Sequence, residues 1–118
     1  KGADVIYDTV GGDAFDASTR AITWNGRLLV VGFASGRIPK FPINLALVKG
    51  FSIVGVFWGT FIQAEPLLYS ENMKELEKWL RNGQVKTKID KRFTLKDCSE
   101  ALKYITDRKV LGKVVMNP

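Results

Sequence analysis

Phe51-Ser52-Ile53-Val54-Gly55-Val56-Phe57-Trp58-Gly59 is the run on which the reading of this 118-residue chain turns. It is rich in β-branched and aromatic residues, ends in glycine, and reads as a buried strand. Two similar runs precede it. Asp4-Val5-Ile6-Tyr7-Asp8 gives way to Thr9-Val10-Gly11-Gly12-Asp13, and Gly26-Arg27-Leu28-Leu29-Val30-Val31-Gly32-Phe33 follows a stretch of helical periodicity. Such runs are what successive parallel strands present where their carboxyl ends line a ligand crevice. No glycine-rich phosphate loop and no initiator Met precede them. The chain is therefore expected to be the back half of a nucleotide-binding domain, with half of its site.

The segments between the runs complete the pattern. Asp13 is the expected N-cap of a helix carrying Phe15, Ser18, Thr19 and Ile22 at helical spacing, and Asn25-Gly26 is expected to stop it. Strand, helix and strand then form one crossover unit. Gly36 through Pro42 reads as a loop, and Asn44 through Lys49 as a short apolar turn of helix. After Thr60 helical signals resume. Pro66 suits an early helical position, and Leu68 or Tyr69, Met73, Leu76, Trp79 and Leu80 mark a buried stripe before Asn82-Gly83. Lys88 through Phe93 alternates like a half-exposed strand. Thr94 with Asp97 resembles a capping box, Cys98, Ala101, Leu102 and Ile105 form an amphipathic stripe, and Gly112-Lys113-Val114-Val115-Met116 is a last short strand.

Composition narrows the function classes. Hydrophobic residues make up 46% and charged residues 25%, the balance of a globular domain with one core. No apolar stretch approaches the roughly 20 residues of a bilayer span, so no membrane partner is expected. The net charge of +6 lies mostly in the second half, but its lysines and arginines alternate with acidic residues at helix-surface spacing. That pattern is a solvated face, and no nucleic-acid partner is expected. With one cysteine and no histidine there is neither an internal disulfide nor a metal-ligand cluster, and Cys98 reads as an inert thiol on a helix.

Two architectures share the first half. A strand ending in Asp8, a helix, and Gly26 through Val31 resemble strands four and five of an S-adenosylmethionine-dependent methyltransferase. That fold then needs an antiparallel hairpin. Here the Phe51 run is followed instead by helix, strand, helix and strand. Asp4 through Gly12, Gly26 through Phe33 and Val56-Phe57-Trp58-Gly59 come in order, followed by Asn82-Gly83, Phe93-Thr94-Leu95 and Gly112-Lys113-Val114-Val115. Together they resemble the C-terminal portion of the medium-chain dehydrogenase/reductase superfamily, most closely its zinc-free quinone oxidoreductase branch, over essentially the whole chain.

The resemblance implies an α/β fold: the second half of a doubly wound Rossmann-type parallel sheet (residues 1–82), then a tail (residues 83–118) returning to a catalytic domain. The three runs would be strands four, five and six of the order 3-2-1-4-5-6. It implies NADPH as cofactor and a small-molecule quinone or enone as substrate. It places Val10 against cofactor, Val31, Gly32, Phe33 and Ala34 beside the nicotinamide ribose, and Phe57, Trp58 and Gly59 at the carboxamide. Lys113 matches a position that approaches cofactor in some relatives. Main-chain groups at strand ends can pair with a carboxamide, glycine at 32 and 59 lets a ring approach, and Phe57 and Trp58 can wall off water. As strand neighbours, Phe57 and Trp58 are expected to face opposite ways.

No acid, base, nucleophile or metal ligand is expected within the chain, and Asp8 and Asp13 have structural uses as strand end and helix cap. A homodimer through the Phe51–Phe57 edge strand is implied, and the Asp4 strand would be a second open edge. The compartment expected is intracellular, the cytoplasm before the mitochondrion. The isolated segment is expected to be inactive. Methyl transfer and a non-catalytic assembly module remain as alternatives.

Overall fold

A computed structural model describes residues 1–118. By their internal contacts these divide into two units, Lys1–Pro66 and Leu67–Pro118, each described by itself. The sequence reading drew its division after residue 82.

In the first unit, β1 (Ala3–Asp8), β2 (Ile22–Val30) and β3 (Ser52–Gly55) form a sheet of order β1-β2-β3. Both pairings are parallel: Ile6 sits opposite Leu28 on one side of β2, and Leu28 opposite Ile53 on the other. The expected parallel half-sheet is present, with β1 and β3 as its edges. Helix α1 (Gly12–Ala21) makes the crossover between β1 and β2, and α2 (Asn44–Lys49) precedes β3.

The core lies on one sheet face. Phe15 of α1, Ile22 and Leu28 of β2, and Phe51 are all under a tenth exposed, with Ile6, Val30, Phe41 and Ala46 packed against them. Phe41, from the segment read as a plain loop, stands edge-on between Phe15 and Phe51 at 5.9 Å from each ring. Burying each such large apolar side chain stabilises by about 1.5–3 kcal/mol. The loop is anchored by its aromatic residue.

The structure departs from four local expectations. Ile22 belongs to β2, not to the helix: α1 passes into the strand with no loop, and the backbone at Ile22 is already extended. Asn25 does take the left-handed conformation (φ 58°), but as a kink inside β2. Asp13 is not the N-cap; Gly11 holds that place, and Asp13 lies in the first turn, where its charge favours the helix dipole. Finally, the third run stops being a strand at Gly55, and Trp58 opens a new helix, α3 (Trp58–Ala64). Phe57 and Trp58 are therefore not strand neighbours on opposite faces.

Helix α4 (Pro66–Arg81) begins at Pro66 as expected, and all of it after that residue belongs to the second unit. It ends where Gly83, at φ 71°, returns its N–H to the Leu80 carbonyl. None of its apolar stripe is buried; Leu76 and Trp79 remain 37% and 39% exposed. A parallel pair, β4 (Ile89–Thr94) and β5 (Lys113–Asn117), packs with α5 (Cys98–Thr106) around Phe93 and Ala101. Thr94 donates to the Asp97 carboxylate at 2.7 Å without capping the backbone, so the expected capping box becomes a side-chain bond. Asp90 accepts from both the Tyr104 hydroxyl (3.0 Å) and the Leu111 N–H (3.1 Å), fastening the turn before β5.

Candidate functional site

The carboxyl ends of β1, β2 and β3 share one edge of the sheet, and the segments leaving them are braced to one another. Asp8, the last residue of β1, is 5% exposed. Its Oδ1 accepts the N–H groups of Val10 and Gly11, each at 2.9 Å, which turns the chain sharply into α1. The same residue's main-chain carbonyl accepts from Val31 (2.9 Å) and Gly32 (3.3 Å), beyond the end of β2. The pairing then continues: Ala34 donates to Thr9, Ser35 to Val10, and Gly12 to the Arg37 carbonyl. The two loops form a short ladder above the sheet.

Glycine is required where this ladder closes. Gly11 and Gly12 both have positive φ, at 67° and 55°. A Cβ on Gly11 would stand 2.8 Å from the Phe33 ring, and one on Gly12 2.8 Å from the Ser35 hydroxyl. Gly32 has no such backbone demand, but a Cβ there would press the Thr9 carbonyl at 3.2 Å. The loops touch because these side chains are missing.

Arg37 ends the ladder. Its guanidinium donates to Asp16 at 2.6 Å and to Asp13 at 2.8 Å, binding the loop onto α1. The hydrogen bond to Asp16 is the largest influence raising its pKa above the ordinary arginine value. Asp13 is thereby occupied. Asp8 is buried with Oδ1 committed to the loop, and its Oδ2 has no hydrogen-bond partner.

Val10 and Phe33 stand 41% and 40% exposed at this edge, and Val31 and Gly32 are half-buried. Ala34 is exposed. The Val56 N–H donates to Val30, carrying the third segment alongside the second up to Phe57, the N-cap of α3. Phe57 is 74% and Trp58 49% exposed, and the Trp58 ring lies 5.3 Å from that of Phe61. Gly59 lies within α3, beside the Phe57 ring. Eight of the nine residues singled out from the sequence thus lie in the first unit, on segments leaving one sheet edge. Lys113 lies in the second unit as the first residue of β5, its N–H donated to Lys88 at 2.8 Å.

The sequence marks Asp8 as a strand end and assigns no role to Ser35 or Arg37. A signal was present: Asp followed two and three residues later by a turn rich in glycine is the spacing at which its side chain accepts backbone N–H groups. Nothing comparable marks Arg37. What this edge presents is a set of exposed apolar side chains, Val10, Phe33, Phe57 and Trp58, on segments leaving the strand ends. Four of the five N–H groups from Val31 to Ser35 are already donated within the ladder. No group of three or more His, Cys, Asp or Glu residues could hold a metal ion. The chain's own residues do not fit a zinc site.

Comparison with known proteins gives a consistent picture. Residues 1–116 match the family model described as zinc-binding dehydrogenase. A quinone oxidoreductase-like protein 2 homolog from Nematostella vectensis is 43% identical over 117 residues, covering 98% of this chain and 32% of that protein. The solved structure of a mycobacterial quinone oxidoreductase superposes with a TM-score of 0.80 at 27% identity, covering 99% of this chain and 36% of that one. A mycobacterial structure in complex with NADPH matches at a TM-score of 0.81 and 27% identity, with the same coverage. The chain spans about a third of the length of the curated relatives it matches.

Proposed function

The chain belongs to the zinc-binding dehydrogenase family of the medium-chain dehydrogenases/reductases, and from that premise we propose that it forms the nicotinamide side of an NADPH site in a quinone or enone reductase. The observation that carries this reading is the hydrogen-bonded ladder between the Asp8–Gly12 and Val31–Arg37 segments. It fixes Val10 and Phe33 as exposed apolar contacts at the carboxyl edge of a parallel sheet, where doubly wound folds take their ligands.

The residues present suit that half of the cofactor. Val10, Phe33, Phe57 and Trp58 would pack on the nicotinamide and its ribose and keep water from the hydride path. Gly32, where a side chain would strike the Thr9 carbonyl, keeps the two loops close. Because the N–H groups of Val31, Gly32, Ala34 and Ser35 are taken, the loop would meet a carboxamide chiefly through acceptor carbonyls. Val31, Ala34 and Gly59 would complete the wall, and Lys113 stays a candidate cofactor contact through the family resemblance alone. When bound, NADPH supplies the hydride. The Arg37 ion pair on Asp13 and the burial of Asp8 support a reading in which neither carboxylate serves as acid or base.

Residues 1–82 would then be the second half of the nucleotide-binding domain, and residues 83–118 a tail packed on the catalytic domain. Family membership favours this reading over methyl transfer. No helix is long and apolar enough to cross a membrane. An intracellular and chiefly cytoplasmic location accords with the reading. We further propose a homodimer through the open edge of β3, which is shorter than expected. Phe51 is in the core and Phe57 has left the sheet, so the pairing edge is Ser52–Gly55. The segment alone would be inactive. Fluorescence titration of the full-length protein with NADPH and with S-adenosylmethionine tests the assignment: saturable NADPH binding is expected, and its absence contradicts the reading.

A further inference from the structure

Asp8 contacts both loops that the proposed cofactor would rest on, yet its side chain is closed off from solvent. Through Oδ1 it holds Val10 and Gly11, and through its carbonyl it holds Val31 and Gly32. Ser35 joins the same two segments, its hydroxyl accepting the Arg37 N–H and its own N–H donating to Val10, but Ser35 is exposed, whereas Asp8 is buried. A buried carboxylate with one oxygen unpartnered is an expensive way to hold a turn, and an apolar residue would avoid that cost. What the carboxylate provides is a defined conformation: two N–H groups converge on one oxygen, and Gly11 and Gly12 can then take the left-handed turn that presses Phe33 and Ser35. Its charge is also favoured by the N-terminus of the ten-residue helix α1 that follows.

We propose that Asp8 is a positioning residue for the cofactor end of the sheet, setting the register of the Val10 loop against the Val31–Ala34 loop without touching cofactor itself. The inference rests on the NADPH reading above. It differs from a simple structural role in what it affects: the loops shift while the β1-β2-β3 sheet remains, so cofactor affinity is lost before the fold is.

The test compares Asp8→Asn, Asp8→Ser and Asp8→Ala in the full-length protein, with NADPH affinity, KM and kcat measured well below each variant's melting temperature. The asparagine carbonyl can still accept both N–H groups, so D8N is expected to bind NADPH within about three-fold of wild type. D8A lacks the acceptor and is expected to weaken binding by about ten-fold or more, in KM for NADPH more than in kcat. D8S, whose hydroxyl can accept one N–H, should fall between them and carries the comparison if D8A does not fold. Variants that melt earlier yet bind NADPH like wild type would overturn the inference and leave the cofactor reading standing. A wild-type protein that binds no NADPH would overturn both.

Discussion

The Lys49 ammonium donates to the Thr19 carbonyl at 2.5 Å, and again to Arg20 at 3.0 Å, so the end of α2 closes the end of α1. Helix carbonyls in a last turn lack partners of their own, and a cation there also meets the negative end of the dipole. Lys49→Met keeps the alkyl stem but removes both bonds. It is expected to destabilise the first unit by about 1 kcal/mol, read as a lower midpoint in urea denaturation with an unchanged slope. An unchanged midpoint would show that the contact contributes nothing.

Gly50 ends α2 at φ 61°, and a Cβ on it would overlap the Trp24 ring. The Asn25 N–H also donates to the Gly50 carbonyl at 2.7 Å, so the kink in β2 and the turn before β3 hold each other. Gly50→Ala combines a left-handed alanine with a clash and is expected to cost about 1–3 kcal/mol. Adding Trp24→Ala should recover part of that loss. Two purely additive destabilisations would mean that the ring is not the obstacle.

Asp90 gives the second unit a pH dependence. The Leu111 N–H, and then the Tyr104 hydroxyl, hold its carboxyl below the usual carboxylate range. A carboxylate whose folded pKa is depressed adds stability above its unfolded pKa of about 4 and loses it as pH falls through the folded value. Thermal melts from neutral pH to pH 3 should therefore show wild type losing more stability below about pH 4 than Asp90→Asn. Parallel losses in the two proteins would remove Asp90 from the account. The same bond raises the Tyr104 pKa, so that phenol should ionise later than an ordinary tyrosine in an ultraviolet titration.

The open side of β3 is the proposed dimer contact, with Ile53 and Val54 each 38% exposed on a four-residue edge. Ile53→Lys places a charge on that edge, the means by which sheets commonly discourage edge pairing. Sedimentation of the full-length protein should show a dimer for wild type and a smaller species for the variant. A wild-type monomer mass at every concentration would contradict the dimer.

Much of this was legible in the residues. β1 and β2 could be located because long apolar runs ending at Asp8-Thr9-Val10-Gly11 and Val31-Gly32 combine strand content with turn glycine. Helix α4 could be bounded because Pro66 and Asn82-Gly83 mark both ends. The start of α3 could not. Val56-Phe57-Trp58 continues the apolar run of β3, and Phe57 offers no capping side chain, so nothing local announces the change. Ile22 reads as helical for a related reason: its spacing from Ser18 and Thr19 continues the helical stripe, and only tertiary pairing with Ala3 makes it a strand residue. Of the candidate site, the family resemblance singles out Val10 and the Val31–Ala34 segment, and the strand-end glycines mark where their loops begin. The ladder joining them depends on Asp8, Ser35 and Arg37, whose bonds span loops distant in sequence.

Hydrogen–deuterium exchange of the full-length protein with and without NADPH tests the central claim most directly. The account predicts slowed exchange in residues 9–12, 31–36 and 56–60, and none at the opposite end of the sheet around residues 20–26. Protection absent from all three segments, or found instead around residues 20–26, would contradict it.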